Sequence, residues 1–209
     1  KQHILEEMII PYENQKDLYT IISHTKITSL IFGCGINVNL ESLKLLEFLL
    51  DQPINIVLDA SVFSLIKKNI ILFFEILSKR TATTIMTPHK GEFNRIFKTT
   101  QNKIQDCLNA SKQTKSIILY KGNDTVIGTP DGRSYINYLT SPYLATAGSG
   151  DVLAGLIGGL LAQGYDGIEA TRLGCYIHSQ CGIRLGQGLL ASDLIKEIPK
   201  VLKEMNPSM

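Results

Sequence analysis

Four consecutive residues, Gly148-Ser149-Gly150-Asp151, combine a turn able to approach a phosphate with a carboxylate able to take a proton. Residues 144–155 read LATAGSGDVLAG, and the apolar pattern after Asp151 predicts that the glycine turn opens directly into a buried helix. The first amides of a helix have no internal partner and carry partial positive charge, so a phosphate can satisfy them. Asp151 has two readings there. An acidic residue in a first helical turn stabilises the dipole, by under ~1 kcal/mol. A carboxylate beside an anion-binding turn is also placed to act as general base toward a substrate hydroxyl. The glycine pair alone is a weak signal, and the Gly-Lys-Ser/Thr ending of a Walker loop is missing. Gly155, Gly158 and Gly159 follow near one helical face, where another backbone is expected to pack closely.

Other candidates also carry a structural and a functional reading. Lys121-Gly122 leaves a strand, either as a plain exit or as a point charge for phosphate beside a glycine that admits a flat base. His89, in Thr87-Pro88-His89-Lys90-Gly91-Glu92, is a hydrogen-bonded histidine at a helix start or a substrate contact. Glu92 is a capping residue or a group supporting a ligand contact. Asp59 ends a strand, where it could orient a ligand. His178, on a late helix, reads as a packed or hydrogen-bonded histidine, and His3 and His24 form no pattern. No carboxylates or histidines have metal-ligand spacing, so any metal is expected to arrive with a nucleotide. Cys34, Cys107, Cys175 and Cys181 match no zinc or redox signature and read as buried, reduced thiols of a cytoplasmic protein.

The elements that must position these residues alternate. Apolar runs at 27–32, 54–58, 83–87 and 116–120 read as strands covered on both faces, and the third is stopped by Pro88. Helical periodicity fills 39–50, with Asn39 as cap, and 61–79, with shorter helices at 91–98 and 101–114. The stretch 70–76 suits a buried helix face. Each strand's C-terminal end delivers a polar or glycine-rich group: Gly33-Cys34-Gly35, Asp59, His89 or Lys121. In an open α/β sheet those ends share one edge, where ligands bind. The pattern then changes to a hairpin, 124–129 and 133–138, turned at Pro130-Asp131-Gly132. Three helices close the chain at 151–163, 168–184 and 192–205, the last capped by Ser192. The expectation is one α/β domain over 1–209, with a mostly parallel sheet flanked by helices and an antiparallel hairpin.

Bulk composition excludes more than it assigns. The 209 residues can bury one full core. Lys plus Arg number 21 against 19 Asp plus Glu, a formal charge of +2 that gives no reason to expect a nucleic-acid groove. No apolar run reaches the ~18 residues of a membrane span, and no secretory signal is visible.

Read together, the motifs resemble the ADP/ATP-dependent NAD(P)H-hydrate dehydratases, a branch of the ribokinase-like fold. In chain order, Gly33-Cys34-Gly35-Ile36-Asn37 resembles the family's Gly-Pro-Gly-Leu-Gly, and Leu58-Asp59-Ala60-Ser61 its Leu-Asp-Ala-Asp. The segment 87–92 resembles Thr-Pro-His-Pro-Gly-Glu, Lys121-Gly122 a Lys-Gly strand end, and 191–195 the closing helix. The LATAGSGD run is nearly identical to the family's most characteristic segment. The resemblance implies dehydration of the S epimer of hydrated NADH or NADPH. The ring hydroxyl is phosphorylated by ADP or ATP with Mg²⁺, then phosphate and AMP or ADP are released. It implies Asp151 as base and substrate contact, and Gly35 and His89 as further substrate contacts. Lys121, Gly122, Asn123, Asp124, Thr125, Gly148, Ser149 and Gly150 would hold the nucleotide, with Gly33, Asp59 and Glu92 in support. It further implies a homo-oligomer, a possible fused epimerase domain, and an N-terminal strand-helix part that this chain lacks. Cys34, Asn37, Ser61 and Lys90 depart from the pattern. A ribokinase-like small-molecule kinase and a non-catalytic nucleotide-binding remnant are the alternatives.

Overall fold

The computed structural model describes residues 9–24 and 26–205, so His3 lies outside the described residues. Its sheet has six strands, β1 (Ser29–Phe32), β2 (Asn55–Leu58), β3 (Thr84–Met86), β4 (Ile117–Tyr120), β5 (Thr125–Gly128) and β6 (Ser134–Asn137). They lie side by side in chain order. The first four are parallel, whereas β5 runs antiparallel to β4 and β6 antiparallel to β5. When parallel strands advance in one direction, right-handed crossovers all return on the same face. The connecting helices do so: α2 (Leu40–Asp51), α3 (Val62–Ile66), α4 (Ile70–Lys79), α5 (Lys90–Ile96) and α6 (Lys103–Thr114). The opposite face is left to α7 (Ser149–Ala162) and α8 (Gly167–Leu185), with α9 (Ala191–Met205) packed outside them.

This layering explains why the strand runs are continuously apolar. Ile56, Leu58, Met86 and Ile118 point toward Leu46, Phe63, Phe73 and Phe93 of the crossover helices. Their neighbours Val57, Ile85 and Leu119, with Ile127, point the other way, onto Leu153, Ile157 and Leu160 of α7 and Ala170 of α8. With period 2 and both faces covered, charged residues are excluded and the few buried polar ones, Thr84 and Thr125, stand at strand starts. Each such side chain contributes roughly 1.5–3 kcal/mol on burial. A third cluster, Ile177, Cys181, Leu194 and Val201, joins α8 to α9.

Several expectations are corrected. The helix over 61–79 is two helices, α3 and α4, separated by a 3₁₀ turn at Lys67–Asn69. Its 70–76 stretch is only half buried: Phe73 and Phe74 face the core, while Ile71 is 75% exposed. A helix not foreseen, α1 (Gln15–His24), precedes β1 and buries Ile22. Ser192 is not a cap but lies inside the first turn of α9, because Asp193 Oδ2 accepts from Leu190 N (3.1 Å) and starts the helix earlier. Of Gly155, Gly158 and Gly159 on α7, only Gly158 meets a close neighbour, the Ile31 side chain. Gly155 and Gly159 face open space. The close helix approach is made instead by Gly174 of α8, against Ile157. Asn39 caps α2 as expected, accepting from Ser42 N at 2.9 Å. Among the described residues no helix is long and apolar enough to cross a membrane.

Candidate active site

The carboxyl ends of the parallel strands converge beneath the start of α7. At the end of β1, Gly33 has φ +127°, and a Cβ there would lie 1.7 Å from the Asp59 carbonyl oxygen, so only glycine fits. Asp59, at the end of β2, is buried and paired with Lys121 from the end of β4 (Nζ–Oδ1 2.8 Å). After β3, His89 caps α5: its Nδ1 accepts from Gly91 N (2.9 Å) and Glu92 N (3.3 Å). Glu92 closes the capping box, Oε2 accepting from His89 N (2.8 Å), and sits 4.0 Å from Lys121 Nζ. The capping reading of Glu92 holds, and its carboxylate also adds negative charge beside Lys121.

The α7 turn presents unsatisfied donors. Gly148, at φ +83°, precedes the helix. Ser149 N donates to the Thr146 carbonyl (3.3 Å) and Val152 N to that of Gly148 (3.1 Å). The amides of Gly150 and Asp151 between them meet no acceptor among the described residues. Lys121 Nζ stands 3.3 Å from where a Cβ on Gly150 would be, so its charge adds to the positive potential of the helix start. From behind, His178 Nε2 lies 3.0 Å from both the Ser149 hydroxyl and its carbonyl oxygen. Burial, together with the charge of Lys121, pushes His178 down to about 4 against the donated hydrogen bond, so the imidazole is neutral near pH 7.

A cleft of about 530 Å³ opens beside this turn. Of the expected nucleotide contacts, Lys121, Gly122, Asn123, Thr125, Ser149 and Gly150 line it, as does His89. Asp124 does not: its exposed carboxylate pairs with Lys103 Nζ at 2.7 Å, which holds it below the usual carboxylate range. Gly148, Gly35 and Asp151 lie outside the lining, as do Gly33, Asp59 and Glu92 beneath it. Asp151 is exposed at the edge of the turn. The far wall includes His178, hydrogen-bonded as its sequence reading expected, and Asn137, Ser141 and Ser179, which were missed in the sequence. Asn137 Nδ2 donates to Ser179 Oγ (2.7 Å), which joins β6 to α8.

Sequence spacing gave no metal-ligand set, but the fold brings three potential donors from separate elements together. Cys34 Sγ, Asp59 and Asp151 offer atoms within 4.8 Å of one another. Burial, a hydrogen bond to Asp151 and the two negative charges push the Cys34 thiol up to about 12, against the opposing charge of Lys121. All four cysteines are unpaired, and Cys107, Cys175 and Cys181 are buried as expected, but Cys34 is only half-buried because it sits in the turn at the sheet edge.

The architecture is ribokinase-like. It is shared with a ribokinase-like superfamily protein of Enterococcus faecalis at TM-score 0.78 and 24% identity, covering 91% of this chain and 67% of that one. An ADP/ATP-dependent NAD(P)H-hydrate dehydratase of Bacillus subtilis, co-crystallised with ATP and Mg²⁺ and soaked with CoA, superimposes at TM-score 0.70 with 28% identity, covering 85% and 66% of the two chains. In sequence, a bifunctional NAD(P)H-hydrate repair enzyme of Thermofilum pendens is 38% identical over 141 residues, 63% of this chain and 27% of that protein. The chain spans between a quarter and two fifths of the length of the first such relatives it matches. The family described as NAD(P)H-hydrate dehydratase matches residues 1–202. A match over nearly the whole length, on a shared fold, establishes descent: the chain belongs to the NAD(P)H-hydrate dehydratase family.

Proposed function

We propose that this chain dehydrates the S epimer of hydrated NADH or NADPH, with ADP or ATP as phosphoryl donor. The observation that carries the reading is the pair of free amides, Gly150 and Asp151, at the start of α7, with the Asp151 carboxylate on the same turn. Asp151 takes the proton of the ring hydroxyl as its oxygen bonds to the terminal phosphorus of the nucleotide, whose bond to the leaving AMP or ADP breaks. The two amides and Lys121 hold the charge that spreads over the transferring oxygens. The phosphorylated adduct then loses phosphate with cleavage of the ring C–O bond, and loss of a proton from the adjacent carbon restores the reduced ring. Positioning and charge stabilisation are most of phosphoryl transfer, so this short residue set suffices.

Lys121, Gly122, Asn123 and Thr125 are assigned to the nucleotide, and His89 and Gly35 to the hydrated ring. The cleft lining holds no carboxylate. That fits Mg²⁺ entering on the nucleotide phosphates, with Asp151 the carboxylate beside them. The ion would neutralise phosphate charge when bound. The bifunctional relatives suggest that the chain works beside a fused epimerase domain, and its four free cysteines suit the cytoplasm.

The test is recovery of reduced-cofactor absorbance from hydrated NADH or NADPH, with ADP or ATP and Mg²⁺. Asp151→Asn is expected to lower kcat by about 10²–10⁴-fold. Absence of recovery with either nucleotide, from a protein carrying this chain intact, defeats the proposal. A stable phosphorylated alcohol in place of recovery would make the protein a kinase.

A further inference from the structure

The turn after β1 places a thiol among oxygen donors. Cys34 Sγ, an oxygen of Asp59 and an oxygen of Asp151 lie within 4.8 Å of one another, and no other His, Cys, Asp and Glu grouping among the described residues does this. The three arrive from separate elements: the end of β1, the end of β2 and the first turn of α7. Two of them are held by the sheet edge, since Gly33 packs directly on the Asp59 backbone.

Asp59 points to a ligand independently of the thiol. Its side chain is 2% exposed. Oδ1 accepts from Lys121, while Oδ2 accepts from no group among the described residues and faces Gly150 at the start of α7. Asp59 is thus ion-paired through one oxygen and leaves the other open toward the turn. Two carboxylates, of Asp59 and Asp151, stand within 4.8 Å of the thiol against one opposing cation, Lys121.

The donor set selects among cations. One sulfur with two carboxylate oxygens suits a borderline or soft divalent ion, whereas Mg²⁺ and Ca²⁺ take oxygen alone. Zinc binds sulfur at about 2.3 Å and carboxylate oxygen at about 2.0–2.2 Å, so tetrahedral ligand atoms stand about 3.3–3.8 Å apart. Side-chain rotation at Cys34 and at the exposed Asp151 can close the present separations. Three protein ligands leave the fourth position for water or a phosphate oxygen. Proline, which the family resemblance places at position 34, would supply no ligand.

We propose that Cys34, Asp59 and Asp151 form an inhibitory site for a thiophilic divalent cation, zinc foremost. On binding, the thiol proton passes to solvent and a sulfur electron pair goes to the metal. The ion then occupies the Asp151 carboxylate and blocks proton removal. Inhibition rests on Asp151 being the base, as proposed above, whereas binding does not.

Cadmium is the probe, because a cadmium–thiolate bond has its own ultraviolet absorption. Cys107, Cys175 and Cys181 are buried, so Cys34 is the accessible thiol. Titration of the chain in excess Mg²⁺ is expected to saturate at one cadmium per chain, and zinc is expected to displace it. Cys34→Ala is expected to abolish the band, and Asp151→Asn, a change at an exposed side chain, to weaken binding by at least about tenfold. No band in the parent chain, an undiminished band in Cys34→Ala, or unchanged affinity in Asp151→Asn overturns the site. In turnover assays at saturating Mg²⁺, zinc should inhibit the parent and spare Cys34→Ala. Binding without inhibition refutes the inhibitory role. If Asp151→Asn retains full turnover, the base assignment falls while the cadmium titration still reports on the site.

Discussion

Acidification should destabilise this protein through one residue, His178. The imidazole is buried on α8, with Nε2 3.0 Å from the Ser149 carbonyl oxygen and 3.0 Å from its hydroxyl. Burial and Lys121 lower it from an ordinary 6.5 to about 4. At ~1.36 kcal/mol per unit, the gap is worth about 3 kcal/mol. The folded value is the depressed one, so between the two values the unfolded chain binds more protons than the folded chain. Stability is therefore full above pH about 6.5 and declines until pH about 4. Urea unfolding of the parent and of His178→Gln at intervals from pH 7.5 to pH 4, on the order of half a unit apart, isolates the effect. Other groups titrate in both proteins and cancel in the difference. The parent is expected to lose about 3 kcal/mol relative to the variant across that window. A difference that stays flat within about 0.5 kcal/mol would refute the reasoning, because it would mean that the imidazole protonates without leaving its buried contacts.

Further substitutions test the packing, at Gly33, Gly35 and Lys121 beneath the site and at Arg80 by the amino ends of β2 and β3. Gly33→Ala forces a Cβ into the Asp59 carbonyl and is expected to cost about 3 kcal/mol or more. Gly35→Ala meets no atom within 4 Å and pays only for its φ of +70°, about 1 kcal/mol, so equal losses in urea unfolding would contradict the steric account. Lys121→Met leaves the buried Asp59 unpaired and is expected to cost about 3 kcal/mol. Adding Asp59→Asn should restore much of that, and additive losses would show that the pair is not coupled. Arg80→Met should cost about 3 kcal/mol in thermal or urea unfolding, because its guanidinium donates to the carbonyls of Leu50, Gln52 and Ile54 and to Thr84. Arg80→Lys should recover less than half, since an ammonium cannot span that fork.

The strands were legible because both their faces are buried, which writes each as a largely apolar run, and the turn at Gly148 because the glycines stand where an apolar helical pattern begins. The break at Lys67–Asn69 was not legible. Helical periodicity on either side is nearly in phase, and the interruption follows from how α3 and α4 pack rather than from a proline or glycine. Cap positions failed where two candidates adjoin: Ser192 and Asp193 both suit a helix start, and only the reach of the Asp193 carboxylate to Leu190 N decides. The far wall of the cleft was hidden because Asn137 and Ser179 are 42 positions apart and meet only once β6 lies beside α8. The thiol and two carboxylates of the cation cluster come from three elements, so no local spacing could announce them.

The pairing of Asp59 with Lys121 shows how the sheet itself builds the site. Their strands, β2 and β4, are not neighbours, because β3 lies between them, so their backbones stand about 9–10 Å apart. The pairing is possible because β3 is only three residues long. Its ladder ends at Met86, after which Thr87 N still donates to Leu58 O (3.1 Å) and Lys121 N to Pro88 O (2.8 Å). Pro88, having no N–H, offers nothing further to a ladder, and the chain turns away into α5. The lysine side chain crosses the space left above β3, reaches Asp59, and brings its charge beneath Gly150. A longer β3 would put backbone in that path and separate the cation from the helix start. The shortness of one strand thus places a fixed positive charge under the two free amides of α7, where the proposed phosphoryl transfer would gather negative charge.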